Sequence, residues 1–319
     1  MRRTVLVTGV SRYLGGRLAH ALAIDEGLEV IGVDVVAPAT PVPGITFVRA
    51  DIRNPVIGRI MADAEVDTVV HMGVIATPRE AGGRSAMKEI NVIGTMQLLA
   101  ACERTPSLRS LVVKSSSTVY GSGPRDPAKF TEDMNPTHVP TSGWAKDNVE
   151  VEGYVRGFGR RRRDVSVTTL RFANVIGPTV QTSMSAYLSM PVVPTVLGFD
   201  PRMQFVHEDD LIAATSLAVE HTVPGTFNVA GDGVLLLSQV IRRLGRRQVV
   251  LPAPVFPLIG RRMAGRRNAD FSTEGVRYLT YGRGLDTRAM REVLQFEPAW
   301  TTAQALESFA GATHRREVA

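Results

Sequence analysis

Short β-branched apolar runs alternate with longer stretches of helical periodicity through the first half of the chain. The runs Thr4–Val10, Leu28–Asp34, Ile45–Val48, Thr68–Met72, Leu108–Ser115 and Val165–Leu170 predict strands. Apolar runs of about four to eight residues separated by helices suit a parallel sheet covered on both faces. Between the first two runs, Leu14, Leu18 and Leu22 recur four residues apart, which sets one buried stripe on a helix. The pattern predicts a doubly wound α/β fold.

After Gly177-Pro178 the alternation stops, and Pro191, Pro194, Pro201, Pro252, Pro254 and Pro257 punctuate shorter elements. A smaller α/β lobe is expected there. The predicted division gives residues 1–177 and 204–223 to a dinucleotide-binding domain, and 178–203 and 224–319 to a substrate domain. No internal repeat interrupts this, so two closely packed lobes are expected.

Composition narrows the classes. A hydrophobic share of 44% over 319 residues is ample for a large core. The one cysteine, Cys102, allows no internal disulfide and suits a reducing, cytoplasmic setting. The start, Met-Arg-Arg followed by a strand from Thr4, leaves no room for a signal peptide, and no apolar run approaches the roughly 20 residues of a membrane span. Net charge is +6, but the arginines gather at expected helix ends, at Arg160 to Arg163, Arg246-Arg247 and Arg266-Arg267. Aromatic-interleaved basic stripes, zinc spacings and helix-turn-helix patterns are absent, so nucleic acid is not an expected partner. A second copy of the chain stays open as one.

The first strand runs into Thr8-Gly-Val-Ser-Arg-Tyr-Leu-Gly15 and then into the leucine-striped helix. Backbone N–H groups at such a helix start can meet a dinucleotide pyrophosphate. Gly9 allows the tight turn, Gly15 the close approach, and Leu14 joins the loop wall. The second strand ends nineteen residues after Gly15 at Asp34, where a carboxylate can accept from ribose hydroxyls. Arg12 stands where a middle glycine is usual, and a guanidinium there could pair with a 2′-phosphate, which Asp34 would repel. The expectation is NAD, with NADP left open; Asp51 and Ile52, after the third strand, are expected to flank the adenine.

With these elements the chain resembles the extended short-chain dehydrogenase/reductases, in their NAD-dependent nucleotide-sugar epimerase/dehydratase branch. The resemblance rests on Val7-Thr-Gly9 with Gly15, Asn91-Val-Ile-Gly-Thr95, Ser115-Ser-Ser-Thr-Val-Tyr-Gly121 and Leu170-Arg-Phe-Ala-Asn-Val-Ile-Gly-Pro178. It continues through Gln204-Phe-Val-His-Glu-Asp-Asp-Leu211 and a closing Asp286-Thr-Arg ahead of Leu294-Gln-Phe-Glu-Pro298. It is similar to an actinobacterial group labelled UDP-glucose 4-epimerase-like, and implies a Rossmann sheet, NAD and a nucleotide-sugar-like substrate. It further implies that Ser116 bonds the reacting sugar oxygen, that Thr118 contacts substrate, and that Lys146 holds the nicotinamide ribose. Asn174 and, more weakly, Arg202 are implied to meet the substrate phosphates. His207 with Asp209 and Asp210 reads in this context as a strand return and helix start, and no metal is expected.

One departure bears on mechanism. In the family a tyrosine four residues before the lysine shares its helix face, and the lysine lowers the phenol pKa from about 10 so that tyrosinate takes the sugar hydroxyl proton. In Pro140-Thr-Ser-Gly-Trp-Ala-Lys146 that residue is Ser142. A serine hydroxyl stays protonated near neutral pH and falls roughly 4 Å short of the phenol's reach. Tyr154 lies about 12 Å further along the helix axis, whereas Tyr120 and Tyr13 stay open as substitutes, as does a water between Ser142 and Ser116. The expected function is therefore an NAD(P)-dependent epimerase/dehydratase-like enzyme with a non-standard or impaired proton-transfer site. The alternative is a dinucleotide-binding protein whose catalysis has decayed, serving as a sensor or interaction partner.

Overall fold

The structure, a computed structural model, describes residues 2–73, 75, 82–265 and 267–318, with side chains as far as 312. Arg266 of the expected Arg266-Arg267 pair lies outside the described residues.

All six expected strands form: β1 (Arg3–Thr8), β2 (Leu28–Asp34), β3 (Ile45–Arg49), β4 (Thr68–His71), β5 (Ser110–Ser116) and β6 (Ser166–Phe172). They pair in parallel in the order β3-β2-β1-β4-β5-β6, so the sheet is doubly wound about β1 and β4. β1 stops at Thr8 because Gly9 turns the chain with φ +79°, a conformation that a Cβ disfavours. Helix α1 (Tyr13–Ala23) buries Leu18 and Leu22 against the sheet, with Gly15 and Ala19 beside them. Leu14, the first leucine of the stripe, is half-buried.

Helix α2 (Val56–Asp63) covers the other face, and α3 (Arg84–Lys88) passes through a π-helical turn, Glu89–Ile93, into α4 (Gly94–Glu103). The wide turn sets Asn91 inward, where its amide donates to the Ile75 carbonyl at 2.8 Å and its oxygen accepts the Ile75 N–H at 2.7 Å. Helix α5 (Gly143–Arg161) packs on β5 and β6.

Beyond β6 the chain forms β7 (Asn174–Ile176), α6 (Ser183–Leu188), β8 (Val192–Val196), β9 (Arg202–Met203), β10 (Phe205–His207) and α7 (Glu208–His221). Next comes β11 (Gly225–Val229), which pairs in parallel with β6 as the seventh strand of the central sheet. The expected division gave 225–229 to the substrate lobe; the ladder moves this strand into the large one. Its fourth residue explains why the apolar pattern did not reveal it. Asn228 is fully buried, yet its amide donates to the Phe130 and Asp286 carbonyls, and the Tyr120 hydroxyl donates to its oxygen.

The rest of the small lobe comprises β12 (Leu235–Leu236), α8 (Leu237–Arg243), β13 (Arg247–Leu251), α9 (Phe256–Ala264), α10 (Thr273–Tyr281), α11 (Arg288–Glu292) and α12 (Thr302–Val318). Tyr187, Phe205, Phe256 and Phe271 lie at the centre of its core. The basic segment around α9 packs Phe256 and Ala264 into that core. No helix among the described residues is long and apolar enough to cross a membrane.

Candidate active site

The turn after β1 is built for a close-fitting ligand. A Cβ on Gly9 would come within 2.9 Å of the Gly73 backbone, and one on Gly15 within 2.1 Å of the Gly9 carbonyl oxygen. Both positions must be glycine for loop, helix and strand to meet. Asp34 ties the loop to β2: its Oδ2 accepts the Ser11 N–H at 3.1 Å and its Oδ1 the Val35 N–H at 2.8 Å. The first turn of α1 has neither a side-chain cap nor an acidic residue, so its N–H groups and positive end suit an anion. This cradle fits a dinucleotide pyrophosphate.

Arg12, Tyr13, Leu14 and Gly15 form one wall of a cavity of about 590 Å³ that runs to the small lobe. Asp51 stands after β3 as expected, but the Arg53 guanidinium, at 2.6 Å, holds its carboxyl below the usual carboxylate range. Ile52 packs on Gly94, leaving no room there for a Cβ.

The cavity floor is the end of β5. Lys114, Ser115, Ser116 and Thr118 line it, with Phe172, Ala173 and Asn174 beyond. Ser116 Oγ accepts the Thr118 N–H at 3.3 Å as cap of a short 3-10 turn. Asn174 Nδ2 donates to the Tyr278 hydroxyl at 2.6 Å. Ser116, Thr118 and Asn174 thus meet in one cavity with the glycine loop.

Two other expected residues do not. Lys146 is 43% exposed, sits 3.8 Å from Glu150 Oε1 and forms no part of the cavity wall, where Lys114 is found instead. Arg202 is exposed on two-residue β9, whose alternation buries Met203 and turns its neighbour out. Besides Arg12, the cavity wall holds the guanidinium of Arg283, which sequence reasoning missed. Arg283 is buried and donates to the Gly121 carbonyl at 2.8 Å, Ser117 Oγ at 3.2 Å and Ser122 Oγ at 3.1 Å. Its guanidinium stacks 5.0 Å above the Tyr278 ring, and burial pulls its pKa down to about 10. Among the described residues none of its hydrogen bonds goes to a carboxylate.

Ser142, expected to stand in place of a tyrosine, precedes α5 without a side-chain capping bond, and its Oγ is buried with no hydrogen-bond partner among the described residues. The two tyrosines left open as substitutes are engaged elsewhere. Tyr120 does not line the cavity; its hydroxyl donates to Asn228 and accepts from Arg171 at 2.8 Å, and burial raises its pKa. Tyr13 lines it but donates to Glu208 Oε1 at 2.8 Å, again with a pKa raised by burial. The remaining cavity tyrosines, Tyr187 and Tyr278, are pushed up by burial, Tyr278 to about 12. His207 is the cap of α7 and stacks on Trp300 at 4.1 Å, so it is structural, and no three metal-type ligands cluster among the described residues.

A doubly wound sheet, a glycine cradle and a hydroxyl-lined cavity facing a second lobe define a dinucleotide-dependent class of enzyme fold. The chain belongs to the NAD dependent epimerase/dehydratase family, which it matches over residues 5–230. A protein of Mycobacterium tuberculosis is 45% identical over 314 residues, covering 96% of this chain and 83% of that one. Human short-chain dehydrogenase/reductase family 42E member 1 is 30% identical over 232 residues, or 69% of this chain and 58% of the human one. Among solved structures, the UDP-glucuronic acid 4-epimerase of Bacillus cereus, in complex with UDP-glucuronic acid and NAD, has a TM-score of 0.73 at 19% identity. That match covers 98% of this chain and 99% of the epimerase. It is a likeness of fold.

Proposed function

We propose that the protein is an NAD-dependent oxidoreductase of the epimerase/dehydratase type that takes a nucleotide-diphosphate sugar across the junction of its lobes. The observation that carries this is Arg283: a buried guanidinium that, among the described residues, is hydrogen-bonded to no carboxylate and faces a cavity that begins at the glycine cradle. A diphosphate would supply a directly bonded counter-charge, with Asn174 alongside.

Gly9, Arg12, Leu14, Gly15 and Asp34 would hold the dinucleotide, with Asp51 and Ile52 flanking its adenine end. When bound, the nicotinamide supplies a hydride acceptor and donor. Asp34, already close to the loop N–H groups, favours a free ribose hydroxyl over a 2′-phosphate and hence NAD over NADP. Ser116 has its hydroxyl proton left to donate to a ligand oxygen, and Thr118 stands beside it.

Calorimetry with NAD and NADP should give one site per chain, with NAD tighter. UDP or dTDP should raise the melting temperature of wild type and do so less in Asn174→Ala and Arg283→Met. Unchanged melting with both nucleotides would overturn the substrate class. A second reading, lapsed catalysis with dinucleotide binding retained, is favoured by Ser142 and by the turn of Lys146 toward Glu150. NAD binding without turnover of any UDP- or dTDP-sugar would select it.

A further inference from the structure

Three residues of the cavity wall carry a buried polar atom with no hydrogen-bond partner among the described residues, Thr118 Oγ1, Trp144 Nε1 and Glu274 Oε2, and Ser142 Oγ, next in sequence to Thr141, is a fourth such atom outside the wall. Buried polar atoms are nearly always paired, so three on the wall of one cavity mark a place where a ligand completes the bonding. The set is chemically complementary. An acceptor-only carboxylate oxygen and a donor-only indole N–H stand with a hydroxyl that can do either, which suits a ligand hydroxyl or carbonyl.

Thr118, Trp144 and Glu274 share the cavity wall with Ser116. Glu274 is only 8% exposed and comes from the first turn of α10 in the small lobe. Its Oε1 accepts the Thr141 N–H at 3.1 Å, with His138 Nε2 at 3.8 Å, so the carboxyl is anchored beside Ser142 and Oε2 is left over. Ser272, which caps the same helix, stands 3.9 Å from where a Gly143 Cβ would be. The segment that lacks the family's phenol is thus met by a carboxylate from the opposite lobe.

We propose that Glu274 is the proton-transfer group of this site in place of the absent tyrosine. The inference rests on the oxidoreductase reading above. A substrate carbinol gives its O–H proton to Glu274 Oε2, forming the carboxylic acid. Its C–H bond breaks at the same time, the electron pair leaving as hydride to an oxidised nicotinamide dinucleotide, and the carbinol becomes a carbonyl. Ser116 and the Trp144 N–H donate to the oxygen that loses its proton. Reduction runs the same steps backward.

Glu274→Gln keeps the shape and can keep the bond to Thr141 but cannot take the proton. Hydride transfer from UDP- and dTDP-sugars and simple secondary alcohols is followed by NADH fluorescence, NAD affinity by calorimetry and stability by melting. The expected result is a kcat lowered about 10²–10⁴-fold, with KM and NAD affinity as in wild type and part of the rate recovered in Glu274→Asp. A melting temperature close to wild type shows that the Gln variant is folded. Turnover at the wild-type rate in Glu274→Gln overturns the proposal. Wild type that binds NAD but turns over none of the probes overturns it as well. Wild type that fails to bind NAD removes the oxidoreductase reading as well, whereas NAD binding with unchanged turnover removes Glu274 alone.

Discussion

Gly15 has no room for a single methyl group, since its Cβ would lie 2.1 Å from the Gly9 carbonyl oxygen. Gly15→Ala should therefore lose about 1–3 kcal/mol of stability by overpacking, together with NAD binding, as urea unfolding and calorimetry can show. His71 makes a prediction of a different kind. It is buried between Thr8 Oγ1 at 2.8 Å and Thr95 Oγ1 at 2.9 Å, and burial, with Lys114 nearby, lowers its pKa from 6.5 to about 4. Between those values the unfolded chain binds the proton and the folded chain does not, so stability rises with pH across the window. The ring contributes fully above 6.5, and its contribution is lost as pH falls toward 4, by about 3 kcal/mol in all. The pH slope of urea stability in wild type, minus that in His71→Asn, should show this window.

At this scale the sequence was legible where chemistry is local. Gly9, Gly15 and Asp34 are positioned by one turn and one strand end, and Ser116 and Asn174 by strand ends. Arg283 and Glu274 were not legible because they reach the cavity from elements more than a hundred residues further on, with no motif of their own. Arg202 misled because a two-residue strand gives too little pattern to tell which side faces in.

Among the elements, the strongest anchor beneath the site joins β5, β6 and α5. Arg171 Nη2 lies 2.7 Å from Glu152 Oε2 and its Nε 2.9 Å from Oε1, and the Ser115 hydroxyl donates to Glu152 Oε1 at 2.6 Å. Both charged partners are buried. Removing one leaves the other charged and alone, so Glu152→Ala should cost about 3–5 kcal/mol, measured as a fall in urea midpoint. The six strands of the first half could be read from hydrophobic pattern, since all but the edge strand β3 are largely buried. β11 could not, because its buried asparagine is paid for by three hydrogen bonds to distant segments that no local window contains. The π-helical turn at Asn91 was equally hidden: a helix one residue over-wide has almost the same periodicity as a regular one.

For the whole molecule, the cavity exists only while the lobes are packed. Its floor comes from β5 and its facing wall from α10, and the bond from Thr141 to Glu274 spans the two. Thr141→Pro deletes that N–H at an exposed position and should lower the affinity for UDP or dTDP while leaving NAD binding intact, as paired titrations would show.

The seventh strand has a consequence in time. The ribosome delivers the chain from its first residue, and β6 has one bare edge until residues 225–229 arrive to pair with it. An unpaired edge is an invitation to another chain. During synthesis the nearly finished sheet must therefore wait, through some fifty residues of small-lobe sequence, for the strand that closes it, at roughly 5–20 residues per second. The interval of greatest exposure to misassembly falls when the large lobe is almost complete rather than at the beginning.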